Sequence, residues 1–394
     1  MFSIVITTYN RSKLLKRCLD SIKNQTFNRY EVLILDDCSS DDTSEMVKEY
    51  TNDSKFKYIR ISKNMGSGSL LQKFAFENNI MRYSWAIMIC DDDFIDDNNM
   101  LLKISQLTKN NDVILCESGF NYGGIIVKSL NGSLNQNNKL IKCCLALKKD
   151  LNKKLDIFRK ASKQAFEWPY PKIYNNANIG YTNDTHYIFS IHAGNRLKYL
   201  DIKTYITSIV GHAHRSVSNL HIKNDEFKQV LISNLNCEGN FLSSFDAFPA
   251  NVVVEYLSRF IDQDNFYDIL DKFATFMKDS FQPSFDETYH KLNSKLYTYE
   301  ERNDIIKNSK TFMIYCQNEW GKQIKEQFIK QGLECLGFID DANSMSCAEF
   351  LKSGLEPDFV FIATGKPKLM SDLINNLQPY KGKVLTLHEK DDSL

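Results

Sequence analysis

Three consecutive carboxylates, Asp91-Asp92-Asp93, follow the apolar run Trp85–Cys90, and Asp96 and Asp97 come close behind. Acids packed that closely repel one another unless a cation or many hydrogen-bond donors offset them. Hard divalent cations such as Mg²⁺ take carboxylate oxygens and usually share them with substrate phosphates. The stretch therefore points to a metal–diphosphate site. The alternative is a solvated acidic loop capping a helix near Asn98–Leu107.

The elements that must position these acids read as alternating strands and helices. The run Trp85–Cys90 is short and free of Pro and Gly, as in a buried central strand. Phe2–Thr7, Tyr30–Leu35 and Phe56–Ile61 read as three more strands. Arg11–Asn24 carries Leu14, Leu15, Cys18, Leu19 and Ile22 on one helical face. Asp42 with Glu45 suggests a capped helix running to about Tyr50. Asn64-Met65-Gly66-Ser67-Gly68 turns into a helix bearing Leu70, Leu71, Phe74 and Ala75. Repeated βα units with short connections imply a mostly parallel sheet. Such sheets bind nucleotides at the carboxyl ends of their strands, where Thr7–Asn10, Asp36-Asp37 and Asp91–Asp93 converge.

Bulk properties narrow the classes. The 394 residues suffice for two or three domains, and 49 basic against 49 acidic residues leave no global field for nucleic acid or an acidic membrane. Ten scattered cysteines, with no CxxC pair, indicate neither a zinc site nor a disulfide scaffold and fit a reducing cytosol. The chain opens directly on a strand-like run, so no signal peptide is expected. No stretch reaches the roughly 18 apolar residues of a membrane span. The expectation is a cytoplasmic protein, at most peripheral at the inner face of the membrane.

Ile4-Val5-Ile6-Thr7-Thr8-Tyr9-Asn10, Gln25-Thr26-Phe27, Glu31–Ser39 with Asp36-Asp37, and Asn64-x-Gly66 occur in the order seen in family 2 glycosyltransferases of the GT-A fold, which this stretch resembles. Asp91-Asp92-Asp93 falls where that family keeps its DxD motif. The resemblance implies a nucleotide-diphosphate-sugar donor, most commonly a UDP-sugar, and Mn²⁺ or Mg²⁺ as cofactor. It places Thr7 and Tyr9 against the nucleobase and ribose, with Asp36 or Asp37 taking a base or ribose donor. An aromatic ring stacks on a base, and an ionised carboxylate accepts only, so it selects N–H or hydroxyl groups. Asn64 and Gly66 shape the donor turn, Asp91 and Asp93 hold the metal, and Asp92 either serves the donor side or points back into the fold. Relatives carry Ala-Arg-Asn after the glycine turn; here Leu70-Leu71-Gln72 stands, leaving Lys73 as the substitute basic contact.

Further along, Asn183-Asp184-Thr185-His186 looks like the family's Glu-Asp segment, which implies Asp184 as the base that deprotonates the acceptor hydroxyl, with His186 in reserve. Tyr187–Gly194 reads as an amphipathic helix, which would set Asp184 at its start. Gly211–Ser218 matches a segment in which the family carries a His or Arg. His214, with His212 close behind, is the implied third metal ligand, and Arg215 the diphosphate contact. Trp168-Pro169-Tyr170-Pro171 reads as a packed corner or an acceptor platform, and Asn121–Gly124 as a turn of a hairpin.

Residues 221–309 show helical apolar stripes, Val252–Ile261 and Phe266–Met277, that suit a core, a domain interface or a homo-oligomer. The last part, 310–394, alternates strands with helices like a small Rossmann-like unit. Its phosphate loop is degraded, since Cys316–Gly321 keeps only the last glycine. The expected class is thus α/β: a GT-A domain over 1–220, a helical region over 221–309 and a Rossmann-like domain over 310–394. The expected activity is metal-dependent, inverting sugar transfer to an oligosaccharide or lipid-linked glycan of a bacterial surface polysaccharide, with no nucleic-acid partner. The rival readings are a sugar nucleotidyltransferase and a non-catalytic glycan-binding or scaffolding protein.

Overall fold

The structure is a computed structural model that describes residues 1–66, 68–128, 142–148, 178–191, 201–207, 210, 227–228, 231–232 and 250–390. It divides into two compact units. The first comprises 1–119, 128–190 and 214–222; the second comprises 120–127, 191–213 and 223–394.

In the first unit, β1 (Phe2–Thr8), β2 (Tyr30–Asp36), β3 (Phe56–Arg60) and β4 (Trp85–Cys90) are parallel, in the order β3-β2-β1-β4. All seven residues of β1 are buried, as expected of a strand covered on both faces. On one face, α1 (Ser12–Lys23) buries Leu15, Cys18, Leu19 and Ile22 against Ile4, Ile6, Val32 and Ile34. Each such aliphatic side chain contributes about 1.5–3 kcal/mol. On the other face, α4 (Gly68–Glu77) sets Leu71 and Ala75 against Val5, Leu33 and Met88. Between β2 and β3 lie two single turns, α2 (Thr43–Met46) and α3 (Lys48–Thr51), rather than one continuous helix. The cap also differs from expectation. Asp41, not Asp42, takes the Thr43 amide at 3.1 Å and its hydroxyl at 2.6 Å.

Beyond β4 the sheet turns antiparallel. It continues through β5 (Phe94–Ile95), β6 (Val113–Tyr122), β7 (Ile125–Lys128), β8 (Lys142–Lys148) and β9 (Ile179–Ile191), with α5 (Met100–Leu107) packed on the first face. Gly123 and Gly124, at φ 55° and 91°, make the tight turn between β6 and β7. The helix expected over 187–194 is instead the end of β9, where Ile188 and Tyr187 pair antiparallel with Phe94 and Ile95. A short apolar run does not by itself separate helix from buried strand, and the pairing with β5 decides it.

The second unit holds α6 (Ala250–Leu257), α7 (Phe266–Asn293) and α8 (Tyr299–Asn308). Its parallel sheet runs in the order β11-β10-β12-β13, from β10 (Thr311–Tyr315), β11 (Glu334–Ile339), β12 (Phe359–Ile362) and β13 (Lys383–Thr386). Helices α9 (Glu319–Lys330), α10 (Cys347–Lys352) and α11 (Pro367–Asn376) connect them. Its core joins Phe312, Phe328, Phe359 and Phe361 to Tyr122, Ile125 and Val127 of the β6–β7 hairpin. Asp340 follows β11 and accepts the Gln317, Ala342 and Asn343 amides at 2.8, 3.1 and 3.1 Å, so it holds its own loops. Among the described residues no helix is long and apolar enough to cross a membrane.

Candidate functional site

The parallel register brings the strand ends of the first unit level. Thr7 lies opposite Cys90 of β4, and Thr8 opposite Asp36 of β2. After β1 the chain turns through Asn10 at φ 53°, a conformation Asn tolerates better than most side chains. Its Oδ1 accepts the Ser40 amide at 2.7 Å, and its own amide donates to Ser39 Oγ at 2.9 Å. The loops leaving β1 and β2 are thereby tied together at one edge.

The acid cluster stands on that edge. Asp91, Asp92 and Asp93 are 4 %, 5 % and 5 % exposed, so a solvated acidic loop is excluded. Asp91 accepts the Thr8 hydroxyl at 2.7 Å and the Arg11 guanidinium at 3.3 Å. Arg11 also reaches Asp92 at 3.0 Å, and Arg17 donates to the Asp92 carbonyl at 2.6 Å and to Ser190 Oγ at 2.7 Å. Asp93 points into β9, where the Tyr187 hydroxyl donates to it at 2.8 Å and the Ser190 amide at 3.0 Å. Burial, reinforced by the charge of Asp92, lifts Asp93 to about 8 against those donors. Burial and Asp92 likewise lift Asp91 to about 6, despite Arg11. Both elevations express burial first and crowded negative charge second, and a bound cation would relieve the second.

Among the described residues, one group of three potential ligand atoms lies close enough to share an ion. These are Cys90 Sγ and one oxygen each of Asp92 and Asp93, all within 4.8 Å of one another. The donor set fits a divalent cation. Asp91, expected as a metal ligand, stands outside this trio, with its two oxygens turned to Thr8 and Arg11. Asp92, expected on the donor side, stands inside it.

The remaining expected residues fall into two groups. Tyr9 is 48 % exposed at the sheet edge, free of the core that its ring could otherwise have joined. Thr7 lies beside the first turn of α4, where a Cβ on Gly68 would come within 2.7 Å of its Oγ1. Asp37 accepts the Met65 and Gly66 amides at 2.6 and 3.1 Å, and Asn64 donates to the Asp37 carbonyl at 3.0 Å. The turn through Gly66, at φ 76°, is therefore built on Asp37. Asp36, by contrast, is fully buried and turned inward, taking the Ser39 amide at 2.8 Å and the Tyr58 hydroxyl. Its carboxylate braces the loop rather than facing a ligand. Lys73 pairs with Glu77 at 3.7 Å, within its own helix.

Asp184 lies within β9, the strand that delivers Tyr187 and Ser190 to Asp93, and not at a helix start. His186 Nε2 sits 3.3 Å from the buried Glu117 carboxylate. His212, His214, Arg215 and Trp168–Pro171 lie outside the described residues. Sequence reasoning missed Arg11, Arg17, Tyr187, Ser190 and Cys90. Arg11 carried a signal as the first cation after Asn10, and Cys90 adjoins the acids in the chain; Arg17, Tyr187 and Ser190 depend on contacts 75 to 173 residues apart.

Residues 3–196 match the sequence model of glycosyl transferase family 2. The poly(ribitol-phosphate) β-N-acetylglucosaminyltransferase TarS of Staphylococcus aureus is 29 % identical over 97 residues, 24 % of this chain and 17 % of that protein. Chondroitin synthase of Escherichia coli is 33 % identical over 111 residues, 28 % of this chain and 16 % of that protein. The match thus spans about a sixth of the length of these curated relatives. The crystal structure of S. aureus TarS 1–349 in complex with UDP-GlcNAc superposes with a TM-score of 0.50 at 19 % identity, covering 74 % of this chain and 91 % of that one. That likeness shows the α/β GT-A fold. Residues 3–196, just under half of the chain, carry this likeness to glycosyl transferase family 2.

Proposed function

We propose that the first unit catalyses metal-dependent, inverting transfer of a sugar from a nucleoside-diphosphate donor to a hydroxyl of a surface-polysaccharide glycan, such as O-antigen or capsule. UDP-sugars are the donors of first choice. The observation that carries this reading is the buried Asp91–Asp93 cluster, level with Thr7, Tyr9 and the Asp37-built turn at the carboxyl edge of a parallel sheet inside the matched residues.

Asp92 and Asp93 hold Mg²⁺ or Mn²⁺ in this reading. When bound, the ion offsets charge on the departing diphosphate. Tyr9 offers its exposed ring to the nucleobase, and the Asn64–Gly66 turn closes on the ribose side. Arg11, which balances Asp91 and Asp92, also keeps a cation near the diphosphate. His214 and Arg215 supply further contacts to ion and diphosphate. Asp184 takes the proton from the acceptor hydroxyl as its oxygen bonds to the anomeric carbon. The bond from that carbon to the diphosphate oxygen breaks on the opposite face.

The test is a product assay on the full chain with Mn²⁺, a panel of nucleotide-sugars and an oligosaccharide acceptor. Sugar transfer releases nucleoside diphosphate, and Asp184→Asn abolishes that release while donor still raises the melting temperature. Release of pyrophosphate instead would establish a nucleotidyltransferase. Turnover undiminished in Asp184→Asn would remove that residue from the mechanism.

A further inference from the structure

Cys90 is the last residue of β4 and is exposed, unlike the buried Cys18 of α1 and Cys116 of β6. Its sulfur stands within 4.8 Å of carboxylate oxygens from both Asp92 and Asp93. The trio is built rigidly. The Cys90 amide donates to the Tyr187 hydroxyl at 3.3 Å, and that hydroxyl donates to Asp93 at 2.8 Å. Strand end and carboxylate are thus bolted together through one side chain. Arg17 fixes the intervening loop by holding the Asp92 carbonyl at 2.6 Å. Asp91, the residue between, turns away to Thr8 and Arg11.

We propose that the Cys90 thiol is a ligand of the cation site together with Asp92 and Asp93, shifting its preference from Mg²⁺ toward thiophilic divalent ions. The proposal rests on the reading of this cluster as a cation site and adds a soft donor to it. Mg²⁺ demands hard oxygen ligands in a near-octahedral shell, and a sulfur in that shell weakens it. Mn²⁺ tolerates sulfur better, and Co²⁺, Zn²⁺ and Cd²⁺ favour it. A metal on the sulfur also holds the thiol deprotonated, adding a third negative charge beside the two carboxylates. One residue type at the end of β4 then sets which ion the site prefers.

The experiment uses the full chain and Co²⁺, with and without UDP. Bound Co²⁺ reports a thiolate ligand through a near-ultraviolet sulfur-to-metal charge-transfer band, read independently of activity. The expected result is a band in the wild type that is lost in Cys90→Ser while the circular dichroism spectrum is unchanged. Cd²⁺ affinity relative to Mg²⁺ should fall by about tenfold or more in that variant, equivalent to about 1.4 kcal/mol. Cys90→Asp should move preference back to Mg²⁺. Co²⁺ binding with identical spectra in wild type and Cys90→Ser overturns the thiol ligand and leaves the sugar-transfer reading standing. Failure of the wild type to bind any divalent ion, with or without UDP, overturns both.

Discussion

Replacing Asp93 with Asn should make the ion-free protein more stable, and the gain should depend on pH in a way fixed by the site. Asp93 is 5 % exposed, and burial with the neighbouring Asp92 charge lifts its carboxyl from 3.8 to about 8. The folded state therefore holds a proton that the unfolded chain releases. For an acid shifted upward, stability is highest at low pH and is lost as pH rises from about 4 through about 8. At about 1.36 kcal/mol per pH unit, the ceiling of this loss is about 6 kcal/mol, with about 4 kcal/mol reached at pH 7 and about 1.5 at pH 5. Asn does not titrate and is isosteric with the protonated acid. It keeps an oxygen for the Ser190 amide and offers an N–H to the Tyr187 hydroxyl, which then loses its own acceptor. That change adds a pH-independent offset of about 1 kcal/mol. The assay is urea unfolding in EDTA at pH 5 to 8, followed through the buried Trp85 with Trp168 and Trp320 replaced by Phe. The gap between Asp93→Asn and wild type should widen by about 3 kcal/mol from pH 5 to 7 and level off above 8. Mn²⁺ should narrow it, because the ion stabilises only the carboxylate form. A gap of constant size across this range would refute the assignment of the buried charge to Asp93.

Chelation of divalent ions should stop sugar transfer and lower donor affinity while the circular dichroism stays unchanged; transfer that persists in EDTA contradicts the cation site. Gly68→Ala should cost about 1–3 kcal/mol, since its Cβ would stand 2.7 Å from Thr7 Oγ1, and Thr7→Ala in the same chain should recover most of that loss. Strictly additive losses in the double variant count against the contact. Asp37→Asn should raise the donor KM more than it lowers kcat, because one of the two accepting oxygens becomes an NH2 donor facing the Met65 or Gly66 amide. An unchanged KM would detach that turn from the donor. In the second unit, Arg302 is 1 % exposed and donates to Glu389 at 2.8 Å, to the Leu387 carbonyl at 2.8 Å and to the Tyr122 carbonyl at 3.0 Å. Arg302→Leu takes this buried donor away from all three acceptors, for an expected loss of about 3–5 kcal/mol in chemical denaturation, and a loss under about 1 would show the cluster to be dispensable.

Local patterning exposed the strands and helices around the site. The run Trp85–Cys90 ends as a strand where its apolar residues end, because burial on both faces requires a continuous apolar segment. The stripe in Arg11–Asn24 places α1 for the same reason, through its 3.6-residue period. Reading failed where two structures share one composition. Tyr187–Ile191 suits helix or strand equally, and its pairing partner, β5, lies about ninety residues earlier in the chain. The cap at Asp41 rather than Asp42 was a choice between adjacent equivalent side chains, settled by which one faced the Thr43 amide.

From the amino-acid order alone came the family resemblance, the parallel sheet and the edge on which the acids gather, since alternation, turn residues and motif order are local properties of a chain. Which acid does what is a different kind of fact. Asp36 and Asp37 are neighbours of one chemical type, yet one faces Tyr58 and Ser39 inside and the other holds up a turn. Asp91, Asp92 and Asp93 divide in the same way among Thr8, Arg11 and Tyr187. Orientation and charge balance depend on side chains that reach the site from other elements, so only the folded arrangement assigned them.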